Sequence, residues 1–218
     1  MVIRSIDHKL QCYNPKMREI LFGTTNEAKI RQVGGALAPA HIKVRGVANK
    51  EILPDVEENG KTAVENARKK ALAYAKFLGE LVFSMDNALY LEGLPAEKQP
   101  GLNVRRINGY TERPTDEQMI AYYSQLIASL GKRINGYWEY GVCIATPDGR
   151  YQETIIKAPR IYVSEPSSII QSGYPLESLQ IEPESGKYMS ELTQEEQDAF
   201  WQKDIGKPLL EFVQSINL

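Results

Sequence analysis

Cysteine is scarce: the 218 residues contain two, Cys12 and Cys143, far apart in sequence. Two such thiols cannot build a C-x-x-C metal motif, and they suggest reduced, partly buried side chains rather than a disulfide framework. No apolar run approaches the roughly 20 residues of a membrane span. The opening stretch MVIRSIDHKLQCYNPKMRE lacks both the long apolar segment and the small-residue cleavage site of a secretory signal, so the expectation is a cytoplasmic protein off the membrane. Charge of one sign is also missing. The formal net charge is -2, which argues against general binding of a nucleic-acid polymer. An anionic ligand would need a local pocket of lysine and arginine, or a metal. Internal repeats and low-complexity segments are absent too. What remains is ordinary globular composition, 42% hydrophobic and 25% charged, at a length suited to one sizeable core with an appended lobe.

The periodicity of the apolar residues predicts an α/β domain. EILFGTTNEAKIRQV reads as a strand over Ile20 to Phe22, a tight loop, then a helix with Ile30, Val33 and Leu37 at helical spacing. KTAVENARKKALAYAKFLG is the clearest helix, with Thr62 and Glu65 as a capping box, an apolar stripe from Val64 to Leu78, and Gly79 as its stop. The strand VFSMDNALYLEG follows at once. Strand-helix followed by helix-strand is an α/β signature. A second capped helix starts at Thr115, with Gln118 completing the box and Gly131 ending it. Two β-rich runs, Trp138 to Thr146 and Arg150 to Val163, flank Pro147-Asp148-Gly149 and predict a hairpin, with Pro159 breaking or bulging its second strand. Thr193 and Glu196 cap a further helix, and Pro208 fits the first turn of a final one.

Three polar segments interrupt this apolar frame. The first, GTTNEAK over 23–29, follows a strand and opens a helix. It is either a phosphate cradle made of backbone N–H groups, Thr24, Thr25, Asn26 and Lys29, or only an N-capped helix with a solvated lysine. The second, LPDVEENG over 53–60, gathers Asp55, Glu57 and Glu58 ahead of the Thr62 helix. Those acids either complement the helix dipole or hold Mg²⁺, which takes one or two protein carboxylates with phosphates and waters. The third, SMDN over 84–87, puts Asp86 at an apolar strand end. A desolvated carboxylate costs several kcal/mol unless something compensates it, so Lys29 or a metal is expected beside Asp86.

Taken together these segments resemble the inosine/xanthosine triphosphate pyrophosphatases. That family opens with a strand and T-G-N-x-x-K, matched here by Thr24, Thr25, Asn26 and Lys29 with Thr25 in place of the glycine. Its E-E-T-G-x-T-F-x-E-N-A stretch is matched without a gap by EENGKTAVENA, residues 57 to 67. SMDNAL stands for A-D-D-S-G-L, and Pro100, Gly101 and Arg106 for P-G-x-x-x-x-R. The resemblance covers nearly the whole chain after residue 18, which leaves 1–18 as an N-terminal extension and 19–218 as a single domain of two lobes. It implies an elongated central mixed β-sheet flanked by helices, substrate in the cleft between the lobes, and a homodimer. It implies Mg²⁺-dependent hydrolysis of a nucleoside triphosphate, a non-standard purine such as ITP, XTP or dITP, to the monophosphate and pyrophosphate. By residue, Glu57 and Asp86 would hold the metal, with Asp86 also orienting water or accepting its proton. Glu65 would take a catalytic share or serve only as a cap. Thr24, Thr25, Asn26, Lys29 and Asn87 would contact the nucleotide, and Gly173 and Tyr174 match part of a base-side F-G-Y-D-P.

The chain departs from that pattern in identifiable places. Met85 replaces the first aspartate of the pair, Pro175 stands where the acid of F-G-Y-D-P falls, and Gln197 replaces a lysine in a segment with no His-Arg pair after it. Metal-and-phosphate chemistry is therefore better kept than base recognition. A catalytically silent nucleotide-binding relative and a hydrolase of modified pyrimidine nucleotides are the competing readings.

Overall fold

The computed structural model describes residues 19–48, 53–107 and 113–216. The expected N-terminal extension over 1–18 and Cys12 lie outside the described residues. Six strands form one mixed sheet: β1 (Glu19–Phe22), β2 (Lys43–Gly46), β3 (Val82–Leu91), β4 (Arg133–Ala145), β5 (Tyr151–Val163) and β6 (Gln180–Ile181), in the spatial order β2-β1-β3-β4-β5-β6. β1 runs parallel to β2 and β3, whereas β3, β4, β5 and β6 alternate antiparallel. The helices are α1 (Glu27–Leu37), α2 (Ala63–Leu78), α3 (Asp116–Leu130), α4 (Gln194–Trp201) and α5 (Lys207–Gln214). The expected mixed α/β sheet with flanking helices is what forms.

Strand alternation sorts the side chains of β1 and β3 between two layers. Ile20, Phe22, Phe83 and Met85 face a core completed by Val33 and Leu37 of α1 and by Trp201, Leu209 and Val213 near the C-terminus. Leu21 and Val82 face the other way, onto the small-residue stripe Ala67, Ala71 and Ala75 of α2. A third cluster sits farther along the strands, where Leu89, Leu91, Ile134 and Tyr162 pack against Met119, Tyr123 and Ile127 of α3. β3, β4 and β5 therefore run from one lobe into the other, and the middle of each strand crosses the cleft.

Three expectations change in detail. Pro159 neither breaks nor bulges β5, whose ladder to β4 is continuous from Tyr151 to Val163. On its other side β5 is paired only at Ile161 and Tyr162, so at Pro159 there is no second ladder to interrupt. The Thr62 box is half made: Thr62 accepts from the Glu65 N–H, but the Glu65 carboxylate reaches past the cap to the Lys61 N–H at 2.6 Å. Pro208 does fall in the first turn of the final helix, α5. A five-residue π-helical segment, Gln202–Gly206, joins α4 to α5. Finally, Asp86 is not at a strand end but in the middle of β3, opposite Gly141 of β4. The boxes at Thr115 and Thr193 are complete.

Candidate functional site

A cavity of about 740 Å³ opens between the lobes. Of the residues singled out in the sequence, Asn26, Lys29, Asp86, Asn87, Gly173 and Tyr174 line it, whereas Thr24, Thr25, Glu57 and Glu65 lie off its wall.

The loop between β1 and α1 forms one edge. The Gly23 N–H bonds to the Phe83 carbonyl at 2.8 Å, which stitches the loop to β3. Asn26 caps α1, its Oδ1 accepting from the Lys29 N–H at 3.2 Å, while its own N–H bonds to Thr24 Oγ1 at 3.2 Å. The short polar residues thus shape the helix entry, and the exposed Thr25 lies beside it. One turn in, Lys29 is half-buried. Burial pushes its ammonium pKa down, repulsion from Lys70 adds to that, and attraction to Asp86 and Glu58 opposes it. A desolvated lysine held among charges is poised to meet an anion.

Asp86 has partners that sequence reasoning did not identify. Its Oδ2 accepts from Asn66 Nδ2 at 3.0 Å, and its Oδ1 lies 3.7 Å from Lys70 Nζ. Lys70 also reaches Glu58 Oε2 at 3.2 Å, so one ammonium stands between two carboxylates. The available signal was helical spacing: Asn66 and Lys70 are four apart on α2 and share a face. Asn66 is 2% exposed, and its Oδ1 accepts from the Gly60 N–H at 2.8 Å. It therefore joins the acidic loop to the carboxylate on β3. Glu57 is exposed, with Oε2 accepting from Asn59 Nδ2 at 2.7 Å, and Glu65 braces the Lys61 N–H as described.

The start of α2 reaches Asp86 because β4 carries glycine opposite it. A Cβ at Gly141 would fall 2.1 Å from the Val64 nitrogen and 2.2 Å from the Ala63 carbonyl carbon. Helix and strand touch backbone to backbone there, which delivers Asn66 and Lys70 to β3.

Among the described residues no group of three or more carboxylate, histidine or cysteine side chains is arranged to hold a metal. The pair Glu58 and Asp86, already gathered around a cation, fits a hard divalent ion that takes one or two carboxylates and completes its shell with phosphate and water.

A second polar group lines the same cavity. Arg160 of β5 is bound to Asp204 of the π segment at 2.6 Å and lies over the Phe200 ring at 4.4 Å from its centroid. Glu177, in the 3-10 turn Pro175–Leu179, has a buried Oε2 with no hydrogen-bond partner among the described residues. Burial lifts its pKa to about 7, against the pull of Arg160. Closer to the rim, Gly173 is held from two sides: its carbonyl accepts from Arg105 Nη2 and its N–H donates to Asp116 Oδ2, both at 2.6 Å. The next side chain, Tyr174, is 47% exposed.

Comparison with known proteins agrees with this architecture. A sequence model of the Ham1 family matches residues 20–203. Over 200 residues, 91% of this chain and 96% of the relative, the chain is 26% identical to a dITP/XTP pyrophosphatase from Desulforamulus reducens. It is 27% identical over 183 residues to one from Geobacillus kaustophilus, covering 84% of this chain and 87% of that one. A HAM1 protein structure from Coxiella burnetii superposes with a TM-score of 0.68 at 20% identity, over 91% of this chain and 98% of that one. The Staphylococcus aureus Ham1 structure gives 0.66 at 23% identity, over 90% and 96%.

Proposed function

The chain belongs to the Ham1 family, and from that premise we propose that it hydrolyses a non-standard purine nucleoside triphosphate, of the ITP, XTP or dITP kind, to the monophosphate and pyrophosphate. The observation that carries the reading is Asp86, set between Asn66 and Lys70 on the wall of a cavity that also presents Lys29 and the opening of α1. Residues 19–218 act in it as one two-lobed unit.

The residues divide the work by position. Asn26 and the N–H groups at the start of α1 receive phosphate oxygens, and Thr24 and Thr25 hold that loop in shape. Lys29 and Lys70 offset the charge that builds on the polyphosphate as water attacks phosphorus. Asp86 orients that water and accepts its proton, while Asn66 fixes the rotamer of the carboxylate. Asn87, next along β3, meets the nucleotide on the cavity side, with Gly173 and Tyr174 at the rim. Glu65 is assigned to positioning: it braces the acidic loop through the Lys61 N–H. Mg²⁺ would be held by Asp86 with a glutamate of the acidic loop, Glu57 or Glu58. When bound it neutralises polyphosphate charge and acidifies neighbouring water.

Pyrophosphate release from a panel of nucleoside triphosphates, with and without Mg²⁺, tests this directly. Asp86→Asn is expected to lower turnover by at least about a hundredfold, the scale of losing a proton acceptor, and Glu57→Gln to act in the same direction. Wild-type rates in both variants would sink the assignment. A silent nucleotide-binding relative is the second reading, favoured by Lys70 already neutralising Glu58 and Asp86. Nucleotide binding without turnover at any base would select it.

A further inference from the structure

The Glu177 wall of the cavity is chemically unlike the Lys29 wall. An unpartnered carboxylate repels phosphate, so this wall suits the uncharged end of a nucleotide. The surroundings suit a flat ring: Trp138, Tyr140, Phe200 and Trp201 all line the cavity. Glu177 supplies an acceptor without a mate, and Arg160 beside it supplies donors. Asp204 meets the Arg160 charge, so the guanidinium is not committed to neutralising Glu177.

We propose that Glu177 and Arg160 together read the edge of the base, the carboxylate accepting the ring N1–H and the guanidinium donating to the adjacent 6-oxo group. The inference deepens the nucleotide pyrophosphatase reading and rests on it. A 6-oxopurine presents donor then acceptor along that edge and satisfies both side chains. A 6-aminopurine presents the reverse, setting its N1 lone pair against the carboxylate and its amino group against the guanidinium. A buried polar pair left mismatched in this way rejects the wrong base far more strongly than a difference in size would. Specificity in this chain therefore comes from β5 and the 175–179 turn, two elements separated along the chain that meet only in the folded cavity.

The protonation state of Glu177 supplies a readout that a merely structural residue would not give. An ionised carboxylate only accepts, whereas a protonated one also donates and tolerates the N1 of a 6-aminopurine. The groups that act on it are Arg160 of β5 and Tyr140 of β4, with Asp204 of the π segment behind Arg160. Burial pushes the Tyr140 hydroxyl up, and Asp204 is paired with Arg160. Glu177, at about 7, is thus the group that switches there.

The test measures kcat/KM of the whole protein for ITP and ATP from pH 6 to 8, in wild type, Glu177→Gln and Glu177→Ala. Taking the ratio cancels the titration of the triphosphate, which both substrates share. The wild-type preference for ITP is expected to grow as pH rises through about 7. In Glu177→Gln, whose amide can turn its donor to N1, the ratio should fall at least about tenfold and lose its pH dependence, with Glu177→Ala following in direction. An active wild type whose ratio stays within about twofold in both variants overturns the inference and leaves the hydrolase reading standing. If the wild type hydrolyses no nucleoside triphosphate, the hydrolase reading fails. The same variants then decide the inference by ITP and ATP affinity, followed through fluorescence of Trp138 and Trp201. Equal affinities in wild type, or no binding of either nucleotide, overturn it.

Discussion

Asn66 holds two parts of the site at once. Its carbonyl oxygen accepts from the Gly60 N–H and its amide donates to Asp86, while Asn66 itself is 2% exposed. Asn66→Ala would leave the half-buried Gly60 N–H and one oxygen of the half-buried Asp86 carboxylate without their partner. A loss of about 1–3 kcal/mol in chemical denaturation is expected, because unsatisfied buried groups cost more than the bond itself contributes. If the carboxylate is the catalytic group, kcat should fall more than KM changes; equal loss in both would make Asn66 only structural. The residues that motifs could flag were those adjacent in sequence: the GTTNEAK loop, the acids before α2, and Asp86. Lys70 was readable from its i, i+4 relation to Asn66 but not singled out, because a lysine on an amphipathic helix looks like a solvated face. Glu177 and Arg160 had no such signal. Each is ordinary in its own segment, and only the fold sets them in one cavity.

The elements most legible in advance were those with strong punctuation. α2 and α3 end where Gly79 and Gly131 stop them, and Pro147-Asp148-Gly149 does turn the hairpin. The join between α4 and α5 was not legible, because Pro208 reads equally well as the first turn of a new helix. Here it follows directly on the π segment, so the chain stays helical from α4 into α5. The segment has a job as well as a shape: it carries Asp204 to Arg160. Asp204→Asn removes the anion that competes for that guanidinium. Arg160 is then free to favour the ionised form of Glu177, and the Glu177 pKa should drop from about 7. Carbon-13 NMR titration of the side-chain carboxyl would show it; an unchanged midpoint would mean that the two acids do not share the arginine.

For the whole molecule, the raised Glu177 pKa is a statement about stability. The folded form holds that proton up to about 7, whereas an unfolded glutamate releases it near the ordinary value of about 4.3. The folded state binds more protons across this window, so the contribution is full below it and is lost as pH rises through about 7. Melting temperature should therefore decline from pH 5 to 8 by the equivalent of about 1–3 kcal/mol, and Glu177→Gln should flatten that decline. Parallel profiles for the two proteins would remove Glu177 as the cause. The α/β plan was visible in the order of elements and the two lobes came from the family resemblance, but the depth of the cavity was not legible, since it depends on how far β3, β4 and β5 extend past the first core. Gly141 shows what such a plan demands of a drifting lineage. Most positions can wander so long as either shape or activity tolerates the change. At 141 a single added methyl would lift the α2 entrance off the sheet and withdraw Asn66 and Lys70 together. A library screened for folding alone should therefore keep glycine at that codon as strictly as one screened for turnover.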